Sequence, residues 1–275
     1  MRNQSESQSW RPHFIREIRE HAEREGILQA THDLLVRDNV TVHAKGSVDL
    51  VKNHEGGMLF IGNHNRQFEF VALMDVLSQI GRTSMKNIVK FYVQNQVTWA
   101  LGDVGTGITL PVYPRLLDRD RNNKWNAELV SRLWFHRSLQ PAVDARRLTD
   151  DTLAAASAEL VAGGVVNIFP CGSVVNNIKK PWREGVGRIV QSLPKESRPD
   201  VLVVPYHADS IRRARLLVAV AARGSGILGR PQTIDVTFGL PQTAAEVMRS
   251  TSGSVSPAAI TEELRRHYVG SFEEL

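Results

Sequence analysis

The sequence predicts an α/β fold, with a mixed, largely parallel central sheet flanked by helices and an N-terminal helical segment. Apolar runs such as MLFIG, VVNIF and VLVVPYHA have the length and β-branched content of strands buried on both faces. Helical patterns separate these runs, and that alternation lays helices over a sheet. The chain has 275 residues, 42% of them hydrophobic, enough for one sizeable core, and no repeat or linker divides it.

The first ten residues, MRNQSESQSW, form a polar lead without the apolar core of a signal peptide. Trp10, Phe14, Ile15, Ile18 and Ala22 recur at helical spacing, and Ile27, Leu28, Leu34 and Leu35 do so after Gly26. Residues 1–39 therefore read as a polar lead followed by amphipathic helices, and 40–275 as the α/β domain. Strand character begins with VTVHAKGSV at Val40 and returns in MLFIG before Asn63. Phe68 to Ile80 reads as a helix stopped by Gly81, followed by the strands NIVKFYV and ITLPVY. The charged, tryptophan-rich stretch from Arg115 to Arg147 takes no assignment. Thr149 or Asp150 is expected to cap a helix through LAAASAELVA, which Gly163 and Gly164 end before the strand VVNIF. WREGVGRIVQSL is then a helix, VLVVPYHA and QTIDVTFG are strands, and AAITEELRRHYV is the last helix.

Lysine and arginine outnumber acidic residues 34 to 29, and the net charge of +5 favours anionic partners. No zinc-finger spacing, RNA-recognition aromatic motif or concentrated basic stripe supports nucleic-acid binding. One cysteine excludes an intrachain disulfide and suits a reducing, cytoplasmic setting. The longest apolar run, Leu216 to Ala222, is far below the roughly 20 residues that cross a bilayer, so the membrane role expected is peripheral contact with an anionic surface. The histidines outside position 64 show no paired metal-ligand spacing, and neither metal nor cofactor is expected.

Two islands at predicted strand ends carry the chemistry: GNHNRQFE around His64 and NIFPCGS around Cys171. A hydroxyl or amine attacking an acyl carbonyl needs a base for its proton, and histidine suits that role. A nearby carboxylate orients the imidazole and stabilises its charged form. On a continuous helix Glu69 would sit about 140° from His64, so the two meet only if His64 lies in a loop before the helix. Asp75 would share the face of His64 but lie about 16 Å along the axis, which leaves Glu69 as the preferred partner.

These islands resemble the motifs of the glycerolipid acyltransferases, the lysophosphatidic acid and glycerol-3-phosphate acyltransferase superfamily. Asn63 and His64, followed after four residues by Glu69, are similar to its Asn-His-x4-Asp motif. GITLPVYPR, ending at Arg115, resembles its second motif, and Phe169, Pro170, Gly172 and Ser173 match its Phe-Pro-Glu-Gly-Thr-Arg motif. VLVVPYHA, through Pro205, resembles the fourth, so the likeness runs from about Val40 to the C-terminus. It implies an enzyme of lipid metabolism, phospholipid biosynthesis included. His64 would be general base, Glu69 its charge partner, and acyl-CoA or an acyl carrier protein the donor. No covalent intermediate is implied. Asn63, Arg115, Cys171, Gly172, Ser173, Lys179 and Lys180 are the expected substrate-binding positions.

Three positions depart from the family pattern. Glu69 keeps the charge of the aspartate but adds a methylene. Cys171 raises an acyl-cysteine route, against which stands the ordinary use of a lone cysteine as a small buried hydrophobe. Val174 replaces the arginine that the family links to the acceptor's phosphate, and valine offers neither charge nor donor. The acceptor is therefore expected to be a hydroxyl or amine compound other than a glycerol phosphate, unless Lys179, Lys180 or Arg183 replaces the lost arginine. The rival reading is a non-catalytic acyl- or membrane-binding protein that kept the fold. Acyl transfer to water is a variant of the first reading.

Overall fold

The computed structural model describes residues 19–37, 40–62, 69–90, 104, 107, 109–112, 142–171, 181–208, 232–251 and 255–272. Helix α1 runs through 19–25 and α2 through Ile27–Arg37. Then follow β1 (Val40–Gly46), α3 (Val48–Lys52), β2 (Gly57–Gly62), α4 (Glu69–Gln79), β3 (Lys86–Lys90) and β4 (Thr109–Val112). The second half holds α5 (Ala142–Val161), β5 (Val165–Ile168), α6 (Gly185–Ser192), a 3-10 turn (Lys195–Asp200) and β6 (Val201–Ala208). It closes with β7 (Gln232–Phe238), β8 (Gln242–Thr243), α7 (Ala244–Ser250) and α8 (Pro257–Phe272).

The strands form one sheet in the order β1-β7-β6-β2-β5-β3-β4, with β8 beside β6. Strands β6, β2, β5, β3 and β4 run parallel, and β7 meets β6 antiparallel while pairing parallel with β1. The sheet is therefore mixed and mostly parallel, as the alternation of apolar runs and helices predicts. Strand β2 lies at its centre, buried at every residue from Gly57 to Gly62, between β6 and β5.

Alternate side chains divide the core between the two faces. Met58, Phe60, Val165, Val204, Tyr206 and Phe238 pack on the side of α2 and α4, with Leu28, Leu73, Val76 and Leu77. Leu59, Ile61, Val166, Ile168, Val201 and Val203 pack on the other side, with residues of α5, α6, α7 and α8. Each such aliphatic or aromatic side chain contributes about 1.5–3 kcal/mol by leaving water.

Several elements differ from the sequence expectation. The strand predicted through VTVHAKGSV stops at Gly46, whose φ of 77° turns the chain into α3. Thr149 and Asp150 do not cap a helix: both lie inside α5, which begins at Ala142, within the stretch left unassigned. Leu153, Ala156 and Leu160 of LAAASAELVA pack in the core, and Thr152 just before them donates to the Pro111 carbonyl of β4. Residues 181–183 precede α6, which starts at Gly185 rather than at Trp182. Gly81 and Gly163 follow α4 and α5 as expected. Among the described residues no helix is long and apolar enough to cross a membrane.

Candidate functional site at the carboxyl end of β2

The parallel strands β2, β5 and β6 end side by side at Gly62, Ile168 and Ala208. In a parallel sheet that edge is where chain segments leave the strands and ligands bind. Both sequence islands belong to it. GNHNRQFE starts on the last residue of β2 and ends on the first residue of α4, and NIFPCGS starts inside β5.

Of the expected site residues, Glu69 and Cys171 are described; Asn63, His64, Arg115, Gly172, Ser173, Lys179 and Lys180 lie outside the described residues, as does Val174. Glu69 opens α4 and is buried, with 3% of its surface exposed. A carboxylate in a helix's first turn is favoured by the unpaired backbone N–H groups there, and this placement offsets part of the cost of burying it. Cys171 is half-buried beyond β5. The Arg183 N–H donates to the Pro170 carbonyl at 3.0 Å, which ties the chain after position 180 to the end of the Phe169–Cys171 turn.

A buried polar relay underlies this edge. In register, Asn87 of β3 pairs with Asn167 of β5, Asn167 of β5 lies against Phe60 of β2, and Gly62 of β2 lies against Tyr206 of β6. The Tyr206 hydroxyl donates to Asn167 Oδ1 at 3.1 Å, and Asn167 Nδ2 donates to Asn87 Oδ1 at 3.0 Å. Asn167 and Tyr206 are fully buried and Asn87 nearly so. Buried amides and phenols persist when they are paired, and here each satisfies the next.

Tyr206 reaches Asn167 by lying across β2 where β2 has no side chain. A Cβ built on Gly62 would come 2.5 Å from Tyr206 Cε1 and 2.6 Å from its hydroxyl oxygen. The glycine that opens GNHNRQFE is thus the one residue that lets the phenol pass. Phe60 meets the Tyr206 ring edge-on at 6.2 Å, Phe169 lies 6.5 Å from it, and the Tyr268 hydroxyl donates to the Tyr206 carbonyl at 3.2 Å. Burial first, then the charge of Glu69 and the presence of Tyr268, push the Tyr206 hydroxyl well above its ordinary value of 10.0; the hydrogen bond to Asn167 acts in the other direction. Tyr206 is accordingly a neutral donor to Asn167.

Sequence reasoning did not single out Tyr206, Asn167 or Asn87. Their one signal was two asparagines inside otherwise apolar strand runs, which demand partners once buried. Asp75, considered as a partner for His64, has a different histidine: His32 Nδ1 lies 2.8 Å from its Oδ1, and Gln79 donates to its Oδ2 at 2.6 Å. His207, at the end of β6, packs its ring 5.9 Å from Phe272. Among the described residues no group of three or more His, Cys, Asp or Glu is placed to hold a metal ion.

No family model matches the chain, and no curated protein matches it. Among solved structures it is similar to the crystal structure of the 1-acyl-sn-glycerophosphate (LPA) acyltransferase PlsC from Thermotoga maritima. That likeness has a TM-score of 0.47 and 13% sequence identity, and it covers 100% of this chain and 85% of that one.

Proposed function

We propose that this protein is an acyltransferase that moves a fatty acyl group from a CoA or carrier-protein thioester to a hydroxyl or amine acceptor. The observation that carries the reading is the buried Glu69 at the start of α4, one chain segment after His64 and at the carboxyl end of the central strand. His64 serves as general base. It takes the acceptor's proton as the acceptor oxygen or nitrogen bonds to the thioester carbonyl carbon, and Glu69 stabilises the imidazolium that forms. The tetrahedral intermediate then collapses with cleavage of the C–S bond, and the departing thiolate takes up a proton. Asn63, Arg115, Cys171, Gly172, Ser173, Lys179 and Lys180 contribute to holding donor and acceptor.

The acceptor is one without a glycerol phosphate's demand for arginine at position 174, where this chain has valine. The protein acts from the cytoplasmic side, in peripheral contact with anionic lipid.

The test is thioester consumption by purified protein, with acyl-CoA donors of several lengths and a panel of hydroxyl and amine acceptors including lysophosphatidate, run beside His64→Ala. Turnover that falls about 10²–10⁴-fold in His64→Ala is the expected result. Consumption that ignores His64 overturns the mechanism, acyl-CoA binding without turnover makes the protein a binder, and efficient use of lysophosphatidate refutes the altered acceptor.

A further inference from the structure

Away from the carboxyl edge of the sheet, one buried acid takes no part in the proposed chemistry. Asp75 on α4 has 2% of its surface exposed, and both of its carboxyl oxygens are engaged. His32 Nδ1 of α2 lies 2.8 Å from Oδ1, while Gln79 Nε2 donates to Oδ2 at 2.6 Å and to the Val42 carbonyl of β1 at 3.3 Å. Asp75 thus joins α2, α4 and β1. The His32 side chain is 32% exposed, so the pair exchanges protons with solvent. Helix α2 carries α1 with it, because His21 Nε2 of α1 lies 2.9 Å from Asp33 Oδ2 of α2, and Ala22, Leu28 and Leu35 share one core. A second tie between α2 and α4, from Ser78 Oγ to Gln29 Oε1 at 3.1 Å, holds no charge.

We infer that the His32–Asp75 pair is a pH-operated latch, which holds the α1–α2 arm on α4 and loosens it as pH rises. A carboxyl group buried to this degree is tolerated when a counter-charge or its own proton neutralises it, and is costly when neither is present. While the pair carries one titratable proton, on the imidazole or on the carboxyl, one of those conditions is met. Once that proton leaves, an ionised Asp75 faces a neutral imidazole, and histidines ordinarily reach that state above a pH of about 6.5. The sign at Asp75 itself is the same. Burial raises its carboxyl above 3.8, so its contribution to the closed arm is complete below about pH 3.8 and is lost as pH rises through the folded value.

The charge that bears on Asp75 is that of His32. On β1 and β7, His43, Lys45 and Asp235 pair with one another on the opposite face of the sheet, whereas Val42, Val204, Tyr206, Ile234, Val236 and Phe238 belong to the core on the α4 side. Tyr206 is neutral there and donates to Asn167. On α2, Asp33 is engaged by His21 and by Gln29, and Arg37 stands in the last turn. Glu69 stands at the first residue of α4, and Arg82, past its end, donates to the His54 carbonyl.

Hydrogen exchange on the full chain tests the latch, read as protection factors of the α2 amides from Ala30 to Leu35 relative to those of Leu59, Val166 and Val203 in the opposite core. Between about pH 5 and about pH 8 the wild-type ratio should fall by about tenfold or more, since one unit of pKa difference between the closed and the loosened arm is a tenfold change in their equilibrium. Asp75→Asn keeps the shape and removes the titration, and its ratio should stay level. His32→Gln keeps a donor for Asp75 without the charge, so its ratio should begin to fall at lower pH than that of the wild type. A wild-type ratio that stays constant with pH overturns the inference, and so does one that runs parallel to the ratio in Asp75→Asn. The first of these outcomes needs no variant, so the inference stays open to refutation if a substituted chain does not fold.

Discussion

The two faces of the central sheet are built from the same strands and differ in what those strands bury. Toward α5, α6, α7 and α8 the strands present Leu59, Ile61, Val166, Ile168, Val201 and Val203, aliphatic side chains throughout. Toward α2 and α4 the sheet buries Asn87, near the start of β3, with Asn167 and Tyr206, toward the ends of β5 and β6, in a hydrogen-bonded chain beside Gly62. An aliphatic face needs only volume and pattern, and tolerates exchange of one apolar residue for another. A face with a polar chain needs every partner, because removing one leaves a buried group unpaired at about 1–3 kcal/mol. The difference separates the face that holds the fold from the face that places the candidate chemistry.

Gly62 and Ile61 give the sharpest contrast, since they are neighbours that face opposite ways. Gly62→Ala would drive a methyl group into the Tyr206 ring, costing about 1–3 kcal/mol of stability, with a loss of thioester turnover of about a hundredfold. Ile61→Val should cost about 0.5–1.5 kcal/mol and leave turnover unchanged. Denaturant unfolding and steady-state kinetics on the two variants measure both. Equal effects on turnover would break the distinction between the faces.

The same contrast explains what the sequence made legible. Strands such as MLFIG and VLVVPYHA declare themselves because burial on both faces forces a continuous apolar run. The expectation at His64 and Glu69 came from their closeness in sequence and from residue types that imply proton transfer, and of the two the structure describes Glu69. The relay was not, because Asn87 and Asn167 are 80 positions apart and Asn167 and Tyr206 are 39 apart; strand order and register alone join them. The expected cap at Thr149 or Asp150 failed for a related reason. Cap residue types also occur inside helices, and Thr149 and Asp150 lie within α5 rather than at its start. Arg115, Lys179 and Lys180 lie outside the described residues, so their part in the site stands on the sequence alone.

Asp75 extends the comparison from the strands to the helices on the α2 and α4 side. It is buried on α4, and burial raises its carboxyl above the usual 3.8, while the hydrogen bonds from His32 and Gln79 and the charge of His32 offset part of that rise. A group whose pKa is higher in the folded state than in the unfolded state stabilises the fold in its protonated form. That contribution is complete below about pH 3.8 and is lost as pH rises through the folded value. Asp75→Asn removes the titration and keeps the shape. Wild-type stability should therefore fall relative to Asp75→Asn as pH is raised from 3.8, a trend that denaturant midpoints at a series of pH values would record. Parallel pH profiles for the two proteins would show that ionising Asp75 costs the fold nothing.

The smallest effect is expected on the opposite side, where α7 is secured locally. Thr243 accepts the Glu246 N–H at 3.2 Å, and the Glu246 carboxylate accepts the Thr243 N–H at 2.7 Å, a reciprocal cap closed within four residues. Those bonds from the Thr243 backbone and then its side chain hold the Glu246 carboxyl below its usual 4.5. Its stabilising contribution is present above that pH and is lost as pH falls through the lowered value. Thr243→Ala removes the side-chain half of the cap and should cost about 1 kcal/mol, a shift of about 2 °C in Tm, with kcat and KM unchanged. Ala244 and Val247 of α7 pack beneath the face that carries no polar relay, so stability and turnover should separate there. A fall in kcat as large as that expected for Gly62→Ala, at so small a cost in stability, would place part of the catalytic support on the aliphatic side.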